Sequence, residues 1–339
     1  MSKESVAWLN TMTLIGFTDT RGSAWHFDED SQGSEPNHYP GAIPIEDVRR
    51  RLFNWEPVEA KLQVILPDGT QITDKERKAI VRPDTKDIFG IFKSGYQIHS
   101  YDEWLLNQVS TILDDKLQIG SAGLLRKGAQ AWVQVEVNEN ITTPEGVEFR
   151  PHLLASTSLD GSLATSYGRS VVNTVCDNTM SASLSSMGDQ KLKLKHTKYS
   201  RIRITEAHEA LAIVHEIGDA FAAEVAELTN IIVTDGDWEK FLNEINPIPA
   251  DEGRGKTVAQ NKRDILTGMW ESDSRVKPWA GTAWGVVQAI NTYSHWENSA
   301  HNEENNPNAR NERNMARAVK GDVDKLDKET LSTLQAVLA

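Results

Sequence analysis

The sequence is poor in the features on which secreted, membrane-spanning and zinc-ribbon proteins depend. Its 339 residues include one cysteine, Cys176, so no internal disulfide and no paired-cysteine zinc site can form. No stretch approaches the roughly 20 apolar residues of a membrane helix. The start, MSKESVAWLN, lacks the basic and apolar regions of a secretory signal. We therefore expect a cytoplasmic protein with no membrane contact.

Catalytic and cofactor-binding motifs are also scarce. The chain has no GxSxG elbow and no GxGxxG turn after a strand. The segment ADEGRGKT resembles a phosphate-binding loop, but it follows NPIP rather than a buried strand, and Ala250 replaces its first glycine. His208 and His215 share a helical face without a third ligand nearby. We predict no enzymatic activity, no cofactor and no metal.

Charge is distributed unevenly along the chain. The formal net charge is −13, yet residues 161–203 carry seven basic and two acidic residues, a net +5, which leaves −18 for the rest. A broadly acidic body with one positive segment repels polyanions everywhere except at that segment.

The positive segment contains an alternating run, KLKLK, at residues 191–195. If it is extended, its leucines face the core and its lysines line up on the other face, roughly 6 to 7 Å apart. This spacing is near the phosphate repeat of an extended single strand. An edge strand that lysines protect against pairing is an equally good interpretation. The candidate nucleic-acid-binding residues are Lys191, Lys193, Lys195, Lys198, Arg201 and Arg203, with Arg126, Lys127 and Arg169 extending the strip.

Hydrophobic periodicity predicts an α+β fold, an antiparallel β-meander covered by helices and followed by a mostly helical C-terminal region. A hairpin is expected around Pro67-Asp68-Gly69-Thr70, and helical spacing follows Ser100. Residues 130–138 alternate strictly, and Asp160-Gly161 is the strongest hairpin signal in the chain. Trp132 lies opposite the valine stripe of this strand, so it is either an exposed stacking platform for bases or buried.

Three regions follow from these patterns. Residues 1–43 form an N-terminal segment with an acidic linker at 28–41, residues 44–204 form the α+β core with the meander and basic strand, and residues 205–339 form the helical region. Apolar residues from Leu211 to Leu228 make a helical seam that needs a partner. If that seam is not satisfied internally it favours a homo-oligomer. Core packing is expected for Trp104, Trp238 and Trp270.

Several continuous runs resemble one known family. They are GSAGLLRKGAQAWVQVEV, SLDGSLATSYGRSVVNTVCDNTM, HTKYS, NKRD and AWGVVQAINTYSHWE. They are similar to the phage/plasmid-like family catalogued as domain of unknown function number 932, from about Trp25 to the C-terminus. The resemblance implies a mobile-element protein working in the bacterial cytoplasm, and the family brings no established activity.

A second resemblance is architectural. A helix, a three-stranded meander and a basic segment are similar to the core of single-strand annealing recombinases of the Red-beta and Erf type, which form rings or filaments and hold DNA by its backbone. This chain departs from them in the Ser-rich stretch 177–188, where they have a helix. The leading hypothesis is single-stranded DNA binding or annealing in recombination or replication. The alternative is a protein-interaction module that acts on a host factor, for takeover or anti-defence.

Overall fold

Two compact units make up the part of the chain that the structure, a computed structural model, describes. The described residues are 8, 11–21, 35–137, 140–173, 178–181, 191–197, 217–298 and 309–339. One unit, here the sheet unit, draws on residues 1–138, 152–168 and 190–214. The other, the helical unit, draws on residues 139–151, 169–189 and 215–339. Each unit is therefore assembled from several stretches of chain.

Strands dominate the first half of the chain and helices the second. The strands are β1 (Thr13–Ile15), β2 (Val58–Ile65), β3 (Gln71–Arg82), β4 (Asp87–Lys93), β5 (Leu117–Leu125), β6 (Gln130–Val137), β7 (Ile141–Thr142), β8 (Glu148–Ser158), β9 (Thr165–Asn173), β10 (Asn178–Ser181) and β11 (Lys191–Leu194). The longer helices are α1 (Ile45–Leu52), α2 (π-helical Asp102–Leu106 continued by Asn107–Ser110), α3 (Ile217–Asn230), α4 (Asp235–Ile245), α5 (Arg254–Ser272), α6 (Ala283–Thr292 continued by π-helical Tyr293–Glu297), α7 (Ala309–Lys320) and α8 (Asp322–Leu338).

The main sheet has the strand order β1-β5-β6-β8-β9, and β11 pairs with β9 within the sheet unit. β5, β6 and β8 follow one another as an antiparallel meander. On β6, Ala131, Val133 and Val135 are fully buried, and α2 packs against this strand. Trp132, on the opposite face, is also buried, because it lies across Gly123 of β5. A Cβ on that glycine would meet the Trp132 ring at 2.2 Å. Both faces of the central strands are therefore covered.

A second, three-stranded sheet of order β2-β3-β4 belongs to the same unit. The predicted turn is present, with the Asp68 carboxylate accepting a hydrogen bond from the Thr70 amide at 2.9 Å. The returning strand is longer than the sequence indicated, because β3 runs on to Arg82 and pairs with β4. Phe92 of β4 stacks on Tyr96 at a centroid distance of 4.0 Å. Phe92 therefore connects the third strand of this sheet to the segment that follows it.

Part of the predicted acidic linker is ordered against β1. The Ile15 amide donates to the Asn37 carbonyl and the Tyr39 amide donates to the Ile15 carbonyl, at 2.9 and 2.8 Å. The buried Asn37 side chain donates to the Thr13 carbonyl at 2.8 Å. Residues 35–41 therefore lie alongside β1 and are hydrogen-bonded to it. Residues 22–34 lie outside the described residues.

The helical unit packs α6 against α3, α5 and α8. Phe221 of α3 lies between Phe149 and Trp284, at centroid distances of 4.7 and 5.8 Å. Trp238 and Trp270 stack at 4.8 Å. Together with Trp104 they are buried, as predicted.

The described half of the predicted seam is internal. Phe221, Val225 and Leu228 of α3 are buried within the chain, and residues 211–216 lie outside the described residues. The described part of α3 therefore leaves no apolar stripe for another copy of the chain.

The predicted α+β class is confirmed, with antiparallel sheets and a helical C-terminal region. The predicted helical C-terminal region contains α3 to α8. The predicted boundary at residue 204 stays a prediction, because residues 198–216 lie outside the described part.

Candidate nucleic-acid interface

The predicted basic strand lies at an edge of the sheet unit. β11 pairs antiparallel with β9, and among the described residues no strand pairs with its other side. Leu194 is fully buried, whereas Lys195, one residue past the strand, is exposed. The register is Lys191 opposite Gly168, Lys193 opposite Ser166 and Leu194 opposite Thr165. The backbone therefore places the KLKLK run along a sheet edge, with Leu194 anchoring it in the core.

His196 fixes the chain immediately after this strand. Its carbonyl accepts a hydrogen bond from the Gln97 amide at 3.2 Å, and its Nδ1 lies 3.2 Å from the Gln97 carbonyl. Its Nε2 lies 3.3 and 3.4 Å from the hydroxyls of Thr157 and Thr165. Burial lowers the pKa of His196 to about 4, against a smaller opposing effect of the Gln97 carbonyl. The ring is therefore uncharged at neutral pH, and Lys195 is held in place by a neutral anchor.

His196 is also the middle member of a column of five stacked rings. The column runs Phe92, Tyr96, His196, His99, Trp104, with successive centroid distances of 4.0, 5.0, 4.0 and 3.7 Å. Because four of these rings come from residues 92–104, the column ties the end of β11 to a distant part of the chain. This contact fixes the backbone immediately after Lys195.

Three chain segments meet at the end of the sheet where β11 stops. β5 and β6 join through residues 126–129, and β8 and β9 join through residues 159–164. Gln130, which begins β6, pairs with Ser158, which ends β8, and β11 ends opposite the first residue of β9. The cationic side chains that this topology brings to one sheet end are those of Arg126, Lys127 and Lys195.

The turn at residues 126–128 has an unusual backbone. Arg126, Lys127 and Gly128 have φ values of +53°, +57° and +92°, in the left-handed region that disfavours side chains with a Cβ. The Tyr101 hydroxyl donates to the Gly128 carbonyl at 2.7 Å. The Arg82 guanidinium lies 4.3 Å from the centroid of the Trp55 ring. A Cβ on residue 128 would clash with this guanidinium at 2.7 Å, so the position requires glycine. The surroundings therefore hold the two cations in a strained turn, as is common at binding sites.

The two cations of this turn differ in their partners. Arg126 forms an ion pair with Asp160 at 3.0 Å. Burial alone would raise the pKa of Asp160, but hydrogen bonds from Ser162 and Arg126 outweigh it and hold the pKa below its usual value. Asp160 therefore stays ionised and neutralises much of the charge of Arg126. Lys127 is exposed, and in the described part of the chain no carboxylate lies within ion-pair distance of it.

The remaining predicted residues are less fully placed. Arg169 lies in β9, one residue past Gly168, and only its backbone is described. For Lys191 and Lys193 of β11, too, only the backbone is described. Lys198, Arg201 and Arg203 lie outside the described residues. Among the predicted set, Arg126, Lys127 and Lys195 are therefore the residues whose side-chain surroundings can be assigned.

Sequence reasoning missed the residues that support this sheet end. His196, Tyr101 and Arg82 act through contacts with residues 27 to 99 positions away, for which a local pattern carries no signal. Trp132 is buried, which removes it as an exposed platform for bases. No described cluster of three or more potential ligands is arranged to hold a metal ion. Within the described ranges, no helix is long and apolar enough to cross a bilayer.

The comparisons with known proteins give one match. No curated protein and no solved structure matches the chain. The family model described as Domain of unknown function (DUF932) matches residues 88–319, which include the meander, β11 and most of the helical unit. Because that match covers more than half of the 339 residues, the chain belongs to the DUF932 family.

Proposed function

We propose that the chain binds single-stranded DNA along β11 and at the turn of residues 126–128, which lies at the same end of the main sheet, and promotes annealing during phage-type recombination or replication. In this proposal the protein is not an enzyme, acts in the cytoplasm of a bacterial host and works as a homo-oligomer. The observation that carries the proposal is that Lys195, at the open edge, and Arg126 and Lys127, in the β5–β6 turn, lie at the same end of the main sheet, in a chain of net charge −13.

An edge strand suits a sequence-independent contact with a nucleic-acid backbone. Side chains two residues apart on a strand are roughly 6 to 7 Å apart, so Lys191, Lys193 and Lys195 can each meet a successive phosphate of an extended strand. Phosphate contacts by lysine give affinity without sequence preference. The acidic remainder of the chain repels DNA and so restricts binding to this edge.

The expected salt dependence follows from the number of phosphate contacts. Lys127, Lys191, Lys193 and Lys195 give four contacts, and each releases about 0.7 counterion from a single strand. The slope of log affinity against log salt is then about −2.8, so that raising salt from about 50 to 200 mM weakens binding roughly 50-fold. Arg126 adds little, because Asp160 already neutralises it.

Charge reversal tests the proposal. We expect the triple variant Lys191→Glu, Lys193→Glu and Lys195→Glu to lose single-strand binding by more than about 50-fold, because three contacts become repulsive. A matched control reverses three exposed lysines on the small sheet of the same unit, Lys75, Lys86 and Lys93. The control changes the net charge by the same amount and should retain most of the binding. Circular dichroism melts show whether both variants are folded.

Two results would overturn the proposal. One is unchanged binding in the β11 triple variant, which would leave its lysines with the role of protecting an edge. The other is an equal loss of DNA binding in the control variant, which would show that the loss depends on net charge and not on β11. If the wild-type protein binds no DNA at low salt but captures a bacterial host protein, the interaction module that acts on a host factor takes its place.

A further inference from the structure

β2 is an edge strand that exposes several large apolar side chains. Within the part of the chain that the structure describes, it pairs with β3 on one side and with no strand on the other. Val58, Val64 and Ile65 are 42%, 50% and 68% exposed. Seven of the twelve large apolar side chains exposed in the described residues lie between positions 58 and 91. Edge strands normally avoid such a surface, because it invites pairing with another chain.

The apolar face continues across the whole small sheet. One cross-strand row contains Val58, Val81 and Ile88, and the next contains Ala60, Ala79 and Ile91. Side chains directly opposite one another in adjacent strands share a face of the sheet. A strand added beside β2 would extend these rows only if it also presented apolar residues at the matching positions.

β2 itself meets that requirement. Its residues 58–62 read Val-Glu-Ala-Lys-Leu, so that Val58, Ala60 and Leu62 alternate with Glu59 and Lys61. In an antiparallel pair of two such strands with the two Ala60 residues opposite each other, Val58 meets Leu62 of the other copy. Glu59 then meets Lys61 of the other copy, twice by symmetry. The strand is therefore complementary to itself in both polarity and charge.

Neighbouring registers do not have this property. A slip by one residue places apolar positions opposite charged ones, because strand side chains alternate between faces. The next allowed registers place Lys61 opposite Lys61 or Glu59 opposite Glu59, and like charges directly opposite destabilise a pair. Glu59 is half-exposed although it also contacts Lys78 within the chain, and Lys61 is exposed. Both are therefore accessible to a partner.

We propose that two copies of this chain join through β2, antiparallel about a two-fold axis at Ala60, to form one continuous six-stranded sheet. This β2–β2 joint pairs the backbone amide and carbonyl groups on the side of β2 that faces away from β3. It also places Val58 of one copy in contact with Leu62 of the other. It is independent of the proposed DNA-binding edge on β11.

A cysteine substituted at the symmetry axis tests the geometry directly. Opposite residues in an antiparallel pair have Cα atoms about 4.5 to 5.5 Å apart, within the range that a disulfide spans. In a Cys176→Ser background, which removes the native cysteine, Ala60→Cys should form a covalent dimer under mild oxidation. Gln63→Cys on the same strand faces residue 57 of the other copy and should remain monomeric on a non-reducing gel.

Charge swaps test the pairing in solution. Glu59→Lys and Lys61→Glu each place like charges opposite one another, so sedimentation equilibrium should show dimerisation weakened roughly tenfold or more for each. An equimolar mixture of the two variants restores both opposite-charge pairs and should recover wild-type affinity. Lys75→Glu, a reversal on β3, is the control and should leave the dimer intact.

Three results would overturn the proposal. The first is a wild-type protein that is still monomeric at about 100 μM. The second is equal disulfide cross-linking of the Ala60→Cys and Gln63→Cys variants. The third is an equimolar mixture of Glu59→Lys and Lys61→Glu that dimerises no more tightly than either variant alone. Melting curves of the single variants show whether they fold. None of these measurements involves DNA, so the joint and the DNA-binding proposal fail or stand separately.

Discussion

Lowering the pH should destabilise the sheet unit through His196. The ring is half-buried in the stacked column, and its nitrogens face the Gln97 carbonyl and the hydroxyls of Thr157 and Thr165. No carboxylate in the described ranges lies within ion-pair distance of it. Burial lowers its pKa from 6.5 to about 4. The unfolded chain therefore takes up a proton near pH 6.5, whereas the folded chain does so only near pH 4.

The magnitude follows from linkage between protonation and folding. Between these two pKa values the unfolded state binds more protons, so the free energy of unfolding falls as the pH falls. For His196 the loss relative to pH 7.5 is about 1.4 kcal/mol at pH 5.5 and about 2 kcal/mol at pH 5.0. Below pH 4 both states are protonated and the loss reaches its full value.

Urea unfolding of the wild type and of His196→Gln at pH 7.5, 6.5, 5.5 and 5.0 isolates this contribution. The variant removes the titrating group, so its free energy of unfolding should fall by about 2 kcal/mol less than that of the wild type between pH 7.5 and 5.0. The NMR signal of the His196 ring should stay that of the neutral form down to about pH 5. Parallel pH curves for the two proteins, or a ring midpoint near 6.5, would refute the reasoning.

Three further predictions concern single residues. Gly123→Ala should lower the free energy of unfolding by about 1 to 3 kcal/mol in urea titrations, because its Cβ would meet the buried Trp132 ring at 2.2 Å; an unchanged midpoint contradicts this packing. Thr234→Ala should cost about 1 kcal/mol by removing the reciprocal hydrogen bonds with Asp237 at the start of α4, whereas Thr234→Ser should cost much less. Asp160→Asn should tighten single-strand binding several-fold in an anisotropy titration, because it removes a negative charge beside Arg126; weaker binding by a folded variant counts against a role for this turn.

Much of the architecture could be predicted because short-range patterns decide it. The Asp68-Gly69 and Asp160-Gly161 turns, the alternation at 130–137 and the spacing of the C-terminal helices each involve a few consecutive residues. The length of β3 and its pairing with β4 were not predicted, because the polar run from Asp74 to Lys78 hides the strand pattern.

The candidate site could be predicted only in part. The KLKLK run predicts a strand with one basic face, and Leu194 is buried as this alternation requires. The placement of Lys195 and the turn at residues 126–128 at the same end of the sheet depends on strand order, which no local pattern encodes. The column that contains His196 likewise joins residues about 100 positions apart. The burial of Trp132 also depends on a residue distant in sequence, because its ring occupies the space beside Gly123 on the neighbouring strand, where any side chain would clash.

The most direct test of the DNA-binding proposal is a fluorescence anisotropy titration of a labelled oligonucleotide, single-stranded and duplex, with wild-type protein at about 50 and 200 mM salt. The account predicts tighter binding to the single strand and a loss of roughly 50-fold at the higher salt. Absence of binding at low salt, or an affinity that salt does not change, would contradict it.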